Sequence, residues 1–549
     1  MADRADEGWA GWGDPARAVP LPEPMRAMLR ALGARPGPPR VPLAEVTLPP
    51  PRLPAGAERA LAAVVGAAYL HTDTASRARH SAGRSTPDLI RQRMGYAPYP
   101  PDAVIDPGSA EEVQAVLAAC AEHRVAVVPF GGGTSVVGGL AGGGPAGGDA
   151  GGPTSAGGTP GVGAGGPAGD RGDPLGGWGR PVWPGAVLAL DLRRLDRLLA
   201  VDPVARTATL QAGVRGPDAD RLLAAHGLTL GHLPQSYEHA TIGGFAATHS
   251  AGQASAGYGR FDDMVVGLDV ATPAGPLTLG RAPASAAGPD LRQLFLGSEG
   301  ALGVITSVTV RIRPVPASQR FEGWRFVSFE AGIAAVRRLA QDGPLPAVLR
   351  LSDEQETTLT APGVDGCLLV ARYDGDGPDA GTVLRAAGGT PLGPEPGEAW
   401  AAGRFVAPYL RDAVLDAGGF AETLDTAAFW PALPGLHHAT RRALLDALAP
   451  QPALVPGHVS HVYETGASLY FTVLFALGDD PLDRWTKAKT RVNDAILDHG
   501  GTISHHHGVG TAHRDWFLRE VGLLAVDMLR AVKSTVDPTG ILNPGVLLP

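Results

Sequence analysis

The sequence predicts an α+β fold in two parts, and three observations carry that prediction. A helix-to-strand unit stands early in the chain. Ser109 with Glu112 makes a capping box, Val113, Val116, Leu117 and Cys120 form an apolar helical stripe, and the strand "VAVVPF" (125–130) follows. Strands then recur with short helices, including "AVLALDL" (186–192) and the alternating "TATLQAGV" (207–214), until proline punctuates the chain near Pro316. A second mixed region lies beyond, with strands "AVLRL" (347–351) and "ASLYFTVLFAL" (467–477). At 549 residues the chain exceeds what one core organises, so two or more domains are expected.

The remaining elements follow in order. Residues 1–57 are proline-rich, "RPGPPRVPLAEVTLPPPRLP" reads as an extended arm, and a helix is expected through "AERALAAVVGAAYLH". The strand at 125–130 runs into "GGGTSVVGGL", after which residues 141–182 have almost nothing to bury and read as a disordered glycine-rich insert. A helix over 483–499 ends at Gly500-Gly501, as helices do. Next comes "SHHHGVG", and a last helix reaches "KSTVDPTGILNPG".

Composition removes several classes of function. Lys+Arg 46 against Asp+Glu 55 gives a formal charge of −9 without a basic block, which argues against nucleic acid as partner. Cys120 and Cys367 stand far apart in apolar runs, so a disulfide framework and a CxxC site are excluded and a reducing, cytoplasmic setting is expected. With no N-terminal apolar signal region and no apolar run of about 18 residues, neither secretion nor a membrane span is expected.

Three loops suggest a large phosphate-bearing ligand. "PFGGGTS" (129–135) could bring bare backbone N–H groups and two hydroxyls to a pyrophosphate, although an isolated glycine triplet is as readily a tight turn. "PQSYEHATIGGFAATHSAG" (234–252) is too polar for a plain core element, and "GSEGALGVIT" (297–306) packs three glycines around a lone acid. On the late strand Tyr470 falls opposite the apolar positions, beside Ser468 and Thr472. Arg350 interrupts an apolar strand and needs a partner or an anion, whereas Arg411 alone reads as a solvated helix charge. In an extended segment His505 and His507 would share one face and His506 the other. A metal would want further ligands, and none stands at a recognisable spacing. Proton transfer and structural hydrogen bonding remain equally open.

Together these motifs resemble the alkyldihydroxyacetonephosphate synthases, FAD proteins of the vanillyl-alcohol-oxidase superfamily. In order, the landmarks are "PFGGGTS", "LPQSYEHATIGG", "GSEGALGVIT", "RLSD", "YLRD", "YETGASLYF", "SHHHGVG" and "VDPTGILNPG", and the histidine triplet with "YETGASLYF" is the most specific. The resemblance implies a bipartite FAD-binding domain of p-cresol-methylhydroxylase type over 98–317. An N-terminal arm and helical region (1–97) precedes it, an α+β cap (318–500) follows, and a tail (501–549) returns to the flavin.

By the same likeness FAD is held non-covalently by four segments. These are Pro129, Phe130, Gly131, Gly132, Gly133, Thr134 and Ser135; Pro234, Gln235, Ser236, Tyr237, Glu238, His239 and Ala240; Ala247, Thr248, His249 and Ser250; and Glu299, Gly300, Ala301, Leu302, Gly303, Val304 and Ile305.

The implied reaction exchanges the acyl group of acyl-dihydroxyacetone phosphate for a fatty alcohol, forming an ether through a flavin N5 adduct. Tyr470, His505, His506, His507 and Arg350 are the implied catalytic residues, with His506 as base, and Arg411 takes the substrate phosphate. A lipid substrate gives a reason for peripheral membrane contact, and a homodimer is a further partner to be tested. The rival is an FAD-linked oxidoreductase of a D-2-hydroxy acid such as D-lactate or D-2-hydroxyglutarate. Such proteins carry an HxxDGNxH-like metal segment in the cap and tend to carry an acid just before "HGVG". Here Thr465 stands seven residues after His458 and His506 precedes the "HGVG". No metal ligand is therefore assigned, and both differences favour the transferase.

Overall fold

The computed structural model describes residues 8–37, 39–141, 183–375 and 379–549, so the glycine-rich insert, apart from Ala141, lies outside the described residues. The Ser109 cap forms: Ser109 Oγ accepts the Glu112 N–H (3.1 Å), while Glu112 Oε2 accepts the N–H of Gly108 (2.7 Å), one residue before the cap, starting the helix Ala110–His123. Its stripe of Val113, Val116, Leu117 and Cys120 is fully buried. The helix expected across 57–71 stops sooner, at Val65, because Gly66 at φ 85° turns the chain into a short strand, Leu70–His71. That strand runs antiparallel to Ala103–Ile105, which pairs in parallel with Val187–Asp191, itself parallel to Ala126–Phe130.

A five-stranded antiparallel sheet follows, ordered Leu198–Asp202, Thr207–Gln211, Val304–Arg311, Val265–Thr272 and Gly275–Leu279. After Pro314 the chain enters a separate eight-stranded sheet. Its main path runs Thr390–Gly393, Gln319–Phe326, Cys367–Asp374, Val348–Ser352, Gly457–Val459, Gly466–Ala476 and Gly419–Phe429. One face of this sheet is apolar and lies under the helices Phe329–Asp342, Leu433–Leu448 and Pro481–Asp498. Phe420 and Phe475 stack there at 4.3 Å, each contributing about 1.5–3 kcal/mol by burial.

Strand periodicity sends the alternate residues to the opposite, polar face. Register sets Thr423 against Thr472, Asp425 against Tyr470 and Ala427 against Ser468, with His458 also beside Tyr470. The Tyr470 hydroxyl lies 3.5 Å from Gln235 Oε1, so this face looks at the five-stranded half of the molecule.

The tail of the chain is tied in. Val127 N–H donates to the Ile541 carbonyl and Asn543 N–H to the Val127 carbonyl, both at 2.8 Å, so the tail extends the parallel sheet. Toward the other end, residues 35–37 and 39–54 are mostly irregular, as the sequence suggests, but a helix Glu23–Ala31 and buried Trp9 and Trp12 precede them. Among the described residues no helix is long and apolar enough to cross a membrane. Cys120 and Cys367 are free and buried.

Candidate active site

The histidine triplet is not extended. Its three backbone N–H groups turn onto one carboxylate: His505 (2.9 Å), His506 (2.6 Å) and His507 (3.3 Å) all donate to Asp425 Oδ2. Ser504 Oγ accepts the N–H groups of His507 and Gly508, both at 3.1 Å, and closes the turn. Consecutive amides converging on an anion form a nest, which replaces the alternation of faces a strand would give. His506 Nδ1 (3.1 Å) and His507 Nδ1 (2.9 Å) therefore both reach Asp425, correcting the expectation that His505 and His507 share a side.

Protonation follows from this crowding. Burial works to raise the Asp425 carboxyl, but the His507 and His506 imidazoles and their hydrogen bonds hold it well below the carboxylate range. Burial lowers His506, with Asp425 opposing, and burial together with the neighbouring histidines drives His505 and His461 lower still. His461, His505 and His506 are thus held toward the neutral form beside a single carboxylate. One tautomer satisfies the set: His506 carries its proton on Nδ1, shared between Asp425 and His505 Nδ1 (2.9 Å), while His505 Nε2 donates to the Tyr463 hydroxyl (2.6 Å). His506 Nε2 then keeps a free lone pair.

Tyr470 lies over this loop. Its ring is nearly parallel to His506 at 6.0 Å and stacks on His458 at 5.0 Å. Burial pushes its phenol up to about 12, so it holds its proton at neutral pH. Arg350 does not join the triplet. Its guanidinium donates to Glu356 (2.8 Å) and to His458 Nδ1 (3.0 Å), and so reaches Tyr470 through the His458 ring. Arg411, on the helix Ala407–Asp416, is not solvated: its side chain is 11% exposed. It donates to the Arg84 carbonyl (2.5 Å), lies 3.8 Å from Glu422, and leaves a buried Nε without a partner.

The four expected cofactor segments come together where the parallel and antiparallel sheets meet. A Cβ on Gly131 would come 2.5 Å from Thr241 Oγ1 and one on Gly132 would strike the His239 carbonyl, so only glycine lets these loops touch. Glu299 N–H donates to the Ala247 carbonyl (2.9 Å), joining the other two. The Glu299 carboxylate accepts the N–H groups of Val509 (2.7 Å) and Gly510 (2.9 Å), and burial raises it to about 7.

Within these segments the side chains divide. Phe130 packs on His80, Tyr237 donates to Asp220 (2.6 Å), and Ser250 meets His232 (3.0 Å). Ala240, Leu302 and Ile305 belong to the core of the five-stranded sheet, and Val304 to that of the parallel one, so only their backbone can face a ligand. The N–H groups of Gly132, Gly133 and Thr134 have no protein acceptor among the described residues, as a pyrophosphate nest requires. His249 Nε2 is buried and unpartnered, and His249 lines a cavity of about 520 Å³ with Arg260, Tyr463, Ser504 and His505. These donors fit a dinucleotide bound from the glycine loop toward the histidine loop.

Two residues of the site lie outside what sequence reasoning reaches. The signal for Asp425 is the second acid of the strand "AETLDTAAF", directly across from Tyr470. The signal for His461 is the second histidine of "HVSH", three residues after His458. The His461 ring stacks on His505 at 4.9 Å, and His461, His505 and His506 bring ligand atoms within 4.8 Å of one another. His461 Nδ1 is already bonded to Ser255 Oγ.

Two family descriptions match this chain. Residues 101–149 and 175–279 match the family described as FAD binding domain, and residues 315–547 match FAD linked oxidases, C-terminal domain. An alkyldihydroxyacetonephosphate synthase of Trypanosoma brucei brucei is 31% identical over 543 residues, covering 91% of this chain and 82% of the relative. A solved alkyldihydroxyacetonephosphate synthase superposes with a TM-score of 0.78 at 25% identity, covering 98% of both chains. Substrate-bound p-cresol methylhydroxylase superposes at 0.67 with 15% identity over 91% of this chain and 98% of its own, a likeness of fold.

Proposed function

This chain belongs to the alkyldihydroxyacetonephosphate synthase family, and on that premise we propose that it exchanges the acyl group of acyl-dihydroxyacetone phosphate for a fatty alcohol. The observation that carries the reading is a neutral His506, its Nδ1 fixed on Asp425, beneath a protonated Tyr470. The FAD-binding half is taken as 98–317, the cap as 318–500 and the returning tail as 501–549. Backbone N–H groups of Gly132, Gly133 and Thr134 would hold the FAD pyrophosphate, with the segments at 234–240, 247–250 and 299–305 around the rest. When bound, FAD supplies an electron-deficient ring beside the reacting carbon.

The protein groups divide the proton work. His506 Nε2 takes the proton from the substrate carbon that bears the ester, and Asp425 stabilises the imidazolium that results. The Tyr470 hydroxyl donates to the departing carboxylate oxygen, then recovers a proton from the entering alcohol. Arg350, acting through Glu356 and His458, fixes the ring on which Tyr470 stacks. Arg411 takes the phosphate with donors the protein leaves spare. The exchange is redox-neutral, because carboxylate leaves, alkoxide enters and the abstracted proton returns.

The test is made anaerobically on FAD-loaded protein with acyl-dihydroxyacetone phosphate and a long-chain alcohol, scored by mass spectrometry. The ether product is expected, with the flavin ending oxidised. Absence of ether, with flavin bleaching by a D-2-hydroxy acid, would overturn the assignment in favour of the oxidoreductase.

A further inference from the structure

A buried turn near the N-terminus touches both a cofactor loop and Arg411. Gly8 N–H closes it on the Gly13 carbonyl at 2.7 Å, and Trp9 and Trp12 are each 7% exposed. Trp12 N–H donates to Asp412 Oδ2 (2.6 Å), beside Arg411 in sequence. The Trp12 ring meets the His239 ring edge-on at 5.6 Å, and the Arg411 guanidinium lies 5.8 Å from its centroid. Gly13 takes a φ of 59°, and a Cβ there would strike the His239 imidazole. Arg17 adds an ion pair with Glu238 at 2.6 Å. The turn is therefore bonded to the cap helix and wedged against the loop at 238–239.

Arg411 needs such a neighbour. Its guanidinium donates to the Arg84 carbonyl, and Arg84 N–H in turn donates to the Ser135 carbonyl of the glycine loop (2.7 Å). A long side chain with few bonds samples several rotamers. An aromatic ring confines a guanidinium without consuming its N–H donors, which stay available to an oxyanion.

We propose that Trp12 is a positioning residue of the substrate-anion site, holding Arg411 at a set reach from the His239 loop. The N-terminal turn is then a third wall of the site, beside the FAD-binding half and the cap. This rests on the reading that Arg411 binds the substrate phosphate.

Full-length, FAD-loaded Trp12→Leu and Trp12→Phe are compared with wild type for KM, kcat, inhibition by inorganic phosphate and flavin content. Leucine keeps an apolar side chain without the π face, and phenylalanine keeps the face. Trp12→Leu is expected to raise KM and the phosphate inhibition constant together by about tenfold, with kcat and FAD content little changed. Trp12→Phe should recover most of that loss, and Trp12→Leu should add nothing in an Arg411→Met background. Unchanged KM and phosphate inhibition in Trp12→Leu, with a lowered melting temperature alone, would overturn the proposal, as would loss of FAD in place of the KM effect. Wild-type protein that neither forms the ether nor responds to phosphate overturns the functional reading, and this proposal with it.

Discussion

Asp425 accepts three consecutive backbone N–H groups and two imidazole nitrogens, so one carboxylate sets both the shape of the histidine loop and the tautomer of His506. Asparagine would keep the volume but present an amide NH2 to donors, leaving buried N–H groups facing one another. In Asp425→Asn, kcat should fall by about a thousandfold with FAD still bound, read by steady-state kinetics beside the flavin spectrum. The pH profile gives an independent check. Asp425 raises His506 against the lowering by burial, and the base must be neutral to act. Removing the charge therefore moves the acid limb of kcat/KM to lower pH. A limb that stays in place would mean that another group is the base.

At the scale of elements, the segment 508–510 is held by Glu299 from the loop before the strand Val304–Arg311. Burial raises Glu299 to about 7, above an ordinary glutamate near 4.5. The folded state then binds the extra proton between those values. Its contribution is full below the unfolded pKa and is lost as pH rises through about 7. A glutamine side chain in its place would keep an acceptor for Val509 and Gly510 without that titration. The melting temperature of Glu299→Gln relative to wild type should thus climb from about pH 4.5 to about pH 7.5. A constant difference across the range would show that Glu299 does not titrate there.

Elements governed by local rules were legible in the sequence. The Ser109 cap, the polar face of Tyr470 and the helix Pro481–Asp498 each follow from periodicity or from one neighbour. The bend at His505–His507 was not, because it is imposed by an acid 80 residues away from His505. Arg411 reads as a surface charge until Trp12 and Arg84 are seen to cover it. Sequence spacing holds no record of such distant partners.

On the scale of the whole molecule, the site lies where separately stabilised parts meet. The glycine loop follows a strand of the parallel sheet, Glu299 precedes a strand of the antiparallel one, and the histidine loop rests on Gly419–Phe429 of the eight-stranded sheet. The tail binds them: Asn543 Nδ2 donates to the carbonyls of Gly139 (2.9 Å) and Glu299 (2.7 Å). A ligand seated among these loops binds the assembled form and not the unfolded chain. It should stabilise by RT ln(1 + [L]/Kd), about 2.7 kcal/mol at a hundredfold excess over Kd. Stripping FAD should therefore lower the first melting transition, and titrating it back should raise that transition logarithmically with concentration. In Asn543→Ala the loops lose two buried hydrogen bonds, so the apoprotein should melt lower and require more FAD for the same gain. Melting curves of wild type and variant across a series of FAD concentrations decide this. If the first transition ignored FAD in both, FAD would not be binding the form that unfolds in it, and the tail would serve stability alone.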